Sequence, residues 1–296
     1  MHIPVLLKEV TDGLTIQPND KVFDGTINGG GHSEAISNFL GKEGLLIGLD
    51  MDGAAINRAR ERLSSAVCKV ILRRESFRNI GKVLCEIGIP SVDKIILDLG
   101  LSSQQLEESG RGFSFQKKEP LLMTFNDNPE DPKLTAWDIV NRWNEENLKE
   151  IIQSYGDERF APKIASRIVM ARKEKPIDTT DDLVAIIQKA VPIKYGYRKI
   201  HPATKTFQAL RITVNDEIQA LKEVLEKGFN CLNLEGRMAV ISFHSIEDRI
   251  VKNYFRDKFK EGMVARITKK PIMPSREECL KNPRSRSAKL RIIEKK

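Results

Sequence analysis

From residue 22 to residue 98, short continuous apolar runs alternate with helical periodicities. Val22 and Phe23 lead into Asp24 and a glycine-rich stretch, and a helical pattern then runs through Ile36 and Leu40 to Gly41. Residues 45–49 read as a buried strand ending at Asp50, and a charged helix covers 54–63. A third strand is predicted over 69–72, a helical stretch over 80–87, and a fourth strand over 94–97 that ends at Asp98. Strands that are apolar throughout have both faces covered, and a helix between each pair makes them parallel. The pattern predicts a doubly wound α/β unit.

The alternation then stops until residue 206. Residues 110–131 carry loop punctuation of Gly, Pro, Asn and Asp. Thr135 and Asp138 have capping-box spacing and open a predicted helix reaching residue 154; a second helix fits 161–173, and a third starts at Thr179 and runs to 190. This strand-poor block reads as an insertion. From 206 a long amphipathic helix is predicted to 229, then a fifth buried strand over 237–243 and a helix through Ile250 and Phe255. Residues 264–268 and 288–293 alternate apolar and charged side chains. They are expected to be half-exposed strands, an antiparallel pair joined by a Pro- and Arg-rich loop. Seven strands in that order predict α/β architecture of the Rossmann-like class I methyltransferase type, a mostly parallel sheet with an inserted all-helical domain. The expected division is 1–108 with 206–296 as the methyltransferase domain, and 109–205 as the inserted helical domain.

Composition narrows the class. With 40% hydrophobic residues the chain can bury a core, which excludes global disorder. No run approaches the roughly 18 apolar residues of a membrane span, so no membrane association is expected. Cys68, Cys85, Cys231 and Cys279 are scattered without a C-x-x-C pair, which argues against a disulfide framework or a zinc site. A cytoplasmic protein without a metal is the expectation. The net charge of +8 changes the picture only by its placement. Residues 256–296 hold 14 basic and 5 acidic groups, leaving 35 and 36 in the first 255. The basic character belongs to the last 41 residues, which points to a nucleic-acid partner there.

Ligands of open α/β sheets bind at the carboxyl ends of the strands. Those ends are Asp24, Asp50, Asp98 and the stretch 242–245. Gly29, Gly30 and Gly31 remove side chains where a backbone can approach a ligand, and Asp50 stands where a carboxylate accepts ribose hydroxyls. These features point to a nucleoside-containing cofactor. The G-x-G-x-x-G spacing of a pyrophosphate cradle is missing, which counts against NAD. His32 either touches the ligand or caps the following helix.

Longer strings make the pattern specific: HIPVLLKEV at 2–10, DGTINGGGHS at 24–33, DLGLSSQQLEESGRGFSF at 98–115, HPATKTFQALRITVN at 201–215, GRMAVISFHSIEDRIVK at 236–252 and NPRSRSAKLR at 282–291. In these the chain resembles the ribosomal RNA small subunit methyltransferase H family, bacterial enzymes that methylate a cytidine amino group of 16S ribosomal RNA. The resemblance implies S-adenosylmethionine (S-adenosyl-L-methionine) as methyl donor, and 16S rRNA or the small ribosomal subunit as partner. Carried over by position, it implies donor contacts by Gly30, Gly31, His32, Asp50, Phe77, Asp98 and Gln105; Phe77 and Gln105 rest on resemblance alone. Two departures stand out. Asn28 replaces a glycine, a mild change because Asn tolerates left-handed backbone. Leu122 and Thr124 stand where the family pattern has Asp and Arg, which puts substrate engagement by that loop in question.

The implied reaction moves a sulfonium methyl onto an exocyclic amine, which requires alignment and an acceptor for developing charge. No motif assigns that acceptor, since the fourth strand exits into DLGLSS without the prolines and aromatic common among amino-methylating enzymes. Asp98, Ser103 and His244 are candidates by strand-end position, with a packing or capping role as the alternative for His244. Tyr195 and Tyr197 among Lys194, Arg198 and Lys199 either stack on RNA bases or cover a solvated loop. Arg111 either meets RNA or pairs with a carboxylate. A second reading, a catalytically weakened RNA-binding ribosome-assembly factor of the same fold, rests on Leu122 and Thr124. A third is a DNA or small-molecule methyltransferase.

Overall fold

The computed structural model of the chain describes residues 4–127, 134–192 and 201–296, gathered in two compact units, 1–100 with 218–296 and 101–217. The strands are β1 (Lys21–Asp24), β2 (Leu45–Asp50), β3 (Lys69–Arg74), β4 (Val92–Asp98), β5 (Leu232–Ser242), β6 (Val264–Arg266) and β7 (Lys289–Lys295). The helices run in chain order from α1 (Leu7–Leu14), α2 (Gly31–Ser37), α3 (Gly53–Arg62) and α4 (Ile80–Glu86) to α5 (Ser103–Glu107), α6 (Ala136–Arg142) and α7 (Glu145–Gly156). They continue as α8 (Ala161–Ala171), α9 (Thr180–Ala190), α10 (Ala203–Asn215), α11 (Glu217–Cys231), α12 (Ser245–Lys260) and α13 (Arg276–Lys281). Among the described residues no helix is long and apolar enough to cross a membrane.

All seven strands lie in one sheet of the first unit, in the order β3-β2-β1-β4-β5-β7-β6. β1 to β5 are parallel, and β7 runs antiparallel between β5 and β6. Successive strand residues face opposite sides. Phe23, Ile47, Ile95 and Val240 enter one buried cluster, while Val22, Leu46, Ile96 and Ile241 enter the other. Each face is apolar, so the strands read as continuous apolar runs. The chain reverses its direction of travel across the sheet between β1 and β4, which opens the ligand crevice at their carboxyl ends.

The last strands differ from expectation. β7 is mostly buried, not half-exposed, because it is an interior strand flanked on both sides. Its Arg291 is only 9% exposed. That charge is matched by Asp248 of α12, whose carboxylate lies 2.8 Å from Arg291 Nε and 3.0 Å from Lys289 Nζ. The expected Pro- and Arg-rich loop contains α13 and a 3-10 turn over Pro283–Ser287.

The second unit is helical, with its own core of Leu121, Met123, Ile139, Leu148, Ile164, Leu183, Leu210 and their neighbours. The helix expected from 135 to 154 is two. Trp143 leaves the α6 conformation, Asn144 caps α7 by accepting from Asn147 N at 2.8 Å, and Arg172 donates to the carbonyls of Val140 and Trp143. The long helix expected from 206 is likewise divided into α10 and α11, by the left-handed residue Asp216 (φ 50°). The capping boxes at Thr135 and Thr179 form as the spacing predicts.

Candidate active site

The first unit brings its strand-end carboxylates to the crevice with distinct partners. Asp24, 2% exposed, accepts from Ser33 Oγ at 2.6 Å and from Thr26 N at 3.0 Å. Asp50 accepts from Asn28 N through one oxygen and Asp52 N through the other, each at 2.9 Å. Asn28 reaches Asp50 by adopting φ 51°, a left-handed conformation open to Asn. The Asp98 backbone N–H donates to Thr26 Oγ1 at 2.6 Å, yet the side-chain Oδ1 is buried with no hydrogen-bond partner. Burial pushes both Asp50 and Asp98 up to about 7, with Glu247 adding to the rise at Asp98. Burial also raises Asp24.

His32, 7% exposed, sits in the first turn of α2 and spans two partners. Its Nε2 lies 2.9 Å from the Val5 carbonyl, and its Nδ1 lies 3.6 Å from Asp98 Oδ2. A proton on Nε2 satisfies the carbonyl and leaves the Nδ1 lone pair facing Asp98. Burial lowers the ring's affinity for a second proton, and the Val5 carbonyl partly opposes that. His32 therefore reaches the Asp98 carboxylate and does not cap α2, whose N-cap is Gly30 at φ 78° without a side-chain bond.

The glycines serve close packing as well as approach. A Cβ on Gly31 would fall 2.5 Å from Pro4 Cγ, and one on Gly30 3.2 Å from the Ala59 backbone of α3. Both positions hold the loop against its neighbours. Phe77 lies in a 3-10 turn after β3, partly buried against the core beside Gly25, where a Cβ would come 3.0 Å from Phe77 Cβ. Gln105 belongs to the second unit, where its side chain accepts from Ser102 N at 3.1 Å and closes the α5 capping box. The structure thus places the His32 ring beside Asp98, Nδ1 to Oδ2 at 3.6 Å, and hydrogen-bonds Asn28 N to Asp50.

Of the acceptor candidates, His244 is a helix cap. Its Nδ1 accepts from Glu247 N at 3.3 Å, its Nε2 lies 3.1 Å from Glu247 Oε1, and Glu247 Oε2 takes the N–H groups of Phe243 and His244. Ser103 is the first residue of α5. The Arg111 guanidinium donates to the Thr124 and Phe125 carbonyls at 3.0 and 2.9 Å. Asn215 holds the same loop by accepting from Phe125 N and donating to the Met123 carbonyl. The loop carrying Leu122 and Thr124 keeps its shape through these contacts, with Thr124 Oγ1 donating to the Asn126 carbonyl. Lys194, Tyr195, Tyr197, Arg198 and Lys199 lie outside the described residues. Sequence reasoning missed Val5, Thr26 and Ser33, whose contacts join distant or unremarkable positions that no spacing rule marks.

Sheet order and strand-end acids define a Rossmann-like methyltransferase. The chain belongs to the MraW methylase family, whose model matches residues 1–296. It is 47% identical over 309 aligned positions to a ribosomal RNA small subunit methyltransferase H of Clostridium botulinum (strain Kyoto / Type A2), covering 99% of this chain and 98% of that protein. A Brevibacillus brevis protein of the same name is 43% identical with the same coverage. An rRNA methylase structure from Streptococcus thermophilus overlaps 100% of this chain and 99% of its own at 11% identity with TM-score 0.47; the sheet order, not this overlap, carries the fold. The protein is an S-adenosylmethionine-dependent methyltransferase.

Proposed function

We propose that this methyltransferase transfers a methyl group to the 4-amino group of a cytidine in small-subunit (16S) ribosomal RNA, as free RNA or within the subunit, in the cytoplasm. The carrying observation is the buried, unpartnered Asp98 Oδ1 at the carboxyl end of β4, in a family of methylases. A buried carboxylate raised to about 7 beside an open acceptor position is costly alone and suited to a cationic ligand. The residues fit the donor. Asp98 would hold its cationic methionine portion, Asp50 its ribose hydroxyls, Phe77 would lie at the adenine, and Gly30, Gly31 and His32 would line the loop. Bound there, S-adenosylmethionine supplies an electrophilic methyl on a cationic sulfur.

The protein's part is alignment and charge. His32 stands beside Asp98 at the strand ends, where the weakly nucleophilic amine would have to meet the methyl in line. The bound donor would supply the methyl by giving up its S–CH3 bond for an N–CH3 bond, and the proton released by the amine would need an acceptor near the strand ends. Asp98 Oδ1 and His244 Nε2 are both buried without a hydrogen-bond partner, and His244 Nδ1 is committed to its helix cap. The helical unit would grip RNA whose target base has left its stack. The assembly-factor reading is not favoured, since the strand-end acids are in place and the Leu122 loop is held without the absent charges. The test incubates the protein with methyl-labelled donor and small subunits, or their RNA, from a strain lacking the gene. Label in RNA supports the proposal; donor binding without transfer supports the assembly factor.

A further inference from the structure

The strings at residues 2–10 and 282–291 both carried the resemblance, and the first of them received no role. In the structure, a residue just ahead of the second string reaches into the first. Glu278, on α13, turns its Oε1 away from its own helix to accept from Leu6 N at 2.8 Å, across 272 positions of sequence. Leu6 holds φ 53°, an uncommon conformation for a bulky residue, while its side chain is fully buried. Such a conformation persists only where its surroundings impose it. The preceding residue, Val5, presents the carbonyl that receives His32 Nε2, and Pro4 fills the space left by Gly31. A continuous set of contacts therefore runs from α13 through Leu6 and Val5 to His32 and Asp98. The Glu278 carboxylate also counts among the charges that favour protonation of His32.

We infer that Glu278 is a positioning residue for the donor site: by accepting the Leu6 N–H it fixes residues 4–6 against the glycine loop, and so fixes the His32 ring on Asp98. This rests on the reading of His32 and Asp98 as donor contacts. The C-terminal basic segment thus contributes to methyl-donor binding through an acidic residue within it.

The test measures S-adenosylmethionine binding to the full chain by calorimetry, for the wild type, Glu278→Ala and Glu278→Gln. Loss of a hydrogen bond to a charged acceptor is expected to weaken donor binding about tenfold in Glu278→Ala. Gln keeps an acceptor oxygen and is expected to stay within about twofold of wild type. In turnover the Ala variant raises the donor KM and leaves kcat at saturating donor unchanged. Hydrogen exchange supplies a second readout: residues 4–10 exchange faster in the Ala variant than in the Gln variant, while β1, β2 and β4 stay protected. Equal donor affinity in all three proteins overturns the inference, as does equal weakening in both variants. A wild type that binds no donor removes the reading beneath it and is distinguishable from both.

Discussion

Asp98 concentrates the cost and the use of the site in one side chain. Its folded value near 7 lies above the ordinary carboxylate range, so its contribution to stability is fully present at low pH and is lost as pH rises toward and through 7. The neutral Asp98→Asn variant is expected to melt on the order of 5 °C higher than wild type at pH 8 without donor, and to lose at least tenfold in donor affinity. Thermal melts and calorimetry check both; a lower melting temperature contradicts the account. Asp50, also near 7, adds to the same titration. Donor affinity is therefore expected to rise between about pH 6 and pH 8, when both carboxylates ionise, and to flatten above. Asp24, Asp50, Asp98 and His32 were legible in sequence as residues at strand ends and in the glycine loop. Their partners were not, because the Val5–His32 and Thr26–Asp98 bonds span 27 and 72 positions.

At the scale of elements, sequence pattern found strands and capped helices but misjudged where helices break. Apolar periodicity continues across Trp143 and across Asp216, since both flanking helices bury a face. What stops α6 is distant: the Arg172 guanidinium binds the Val140 and Trp143 carbonyls. Arg172→Ala is expected to cost about 1–3 kcal/mol of unfolding free energy, read by urea titration. Exposure of β7 was misjudged for a similar reason: alternation of apolar and charged residues normally marks a solvated face, but here Asp248 covers it. Asp248→Ala leaves the nearly buried Arg291 without its carboxylate and is expected to destabilise the protein by about 3 kcal/mol.

Across the whole molecule, the placement of charge was legible and its use only partly so. The last 41 residues are basic by count, yet Lys289 and Arg291 serve Asp248, Arg237 of β5 binds Glu294, and Lys295 donates to the Phe229 and Leu232 carbonyls. Several cations thus hold the sheet together. Arg284 and Arg286 are exposed, and replacing both by Glu is expected to weaken RNA binding and flatten its salt dependence while donor binding stays unchanged. An unchanged salt slope removes the RNA role from this segment. Phe115 stacked on His201 at 4.7 Å, within a string that carried the resemblance, likewise serves the helical core. The central claim is tested most directly by nucleoside mass spectrometry of small-subunit RNA, taken from a strain lacking the gene and treated with protein and donor. One N4-methylcytidine at a single position, absent when Asp98→Asn replaces the wild type, is the predicted result. Unmodified cytidine in RNA from both free and assembled subunits, with donor bound, contradicts it.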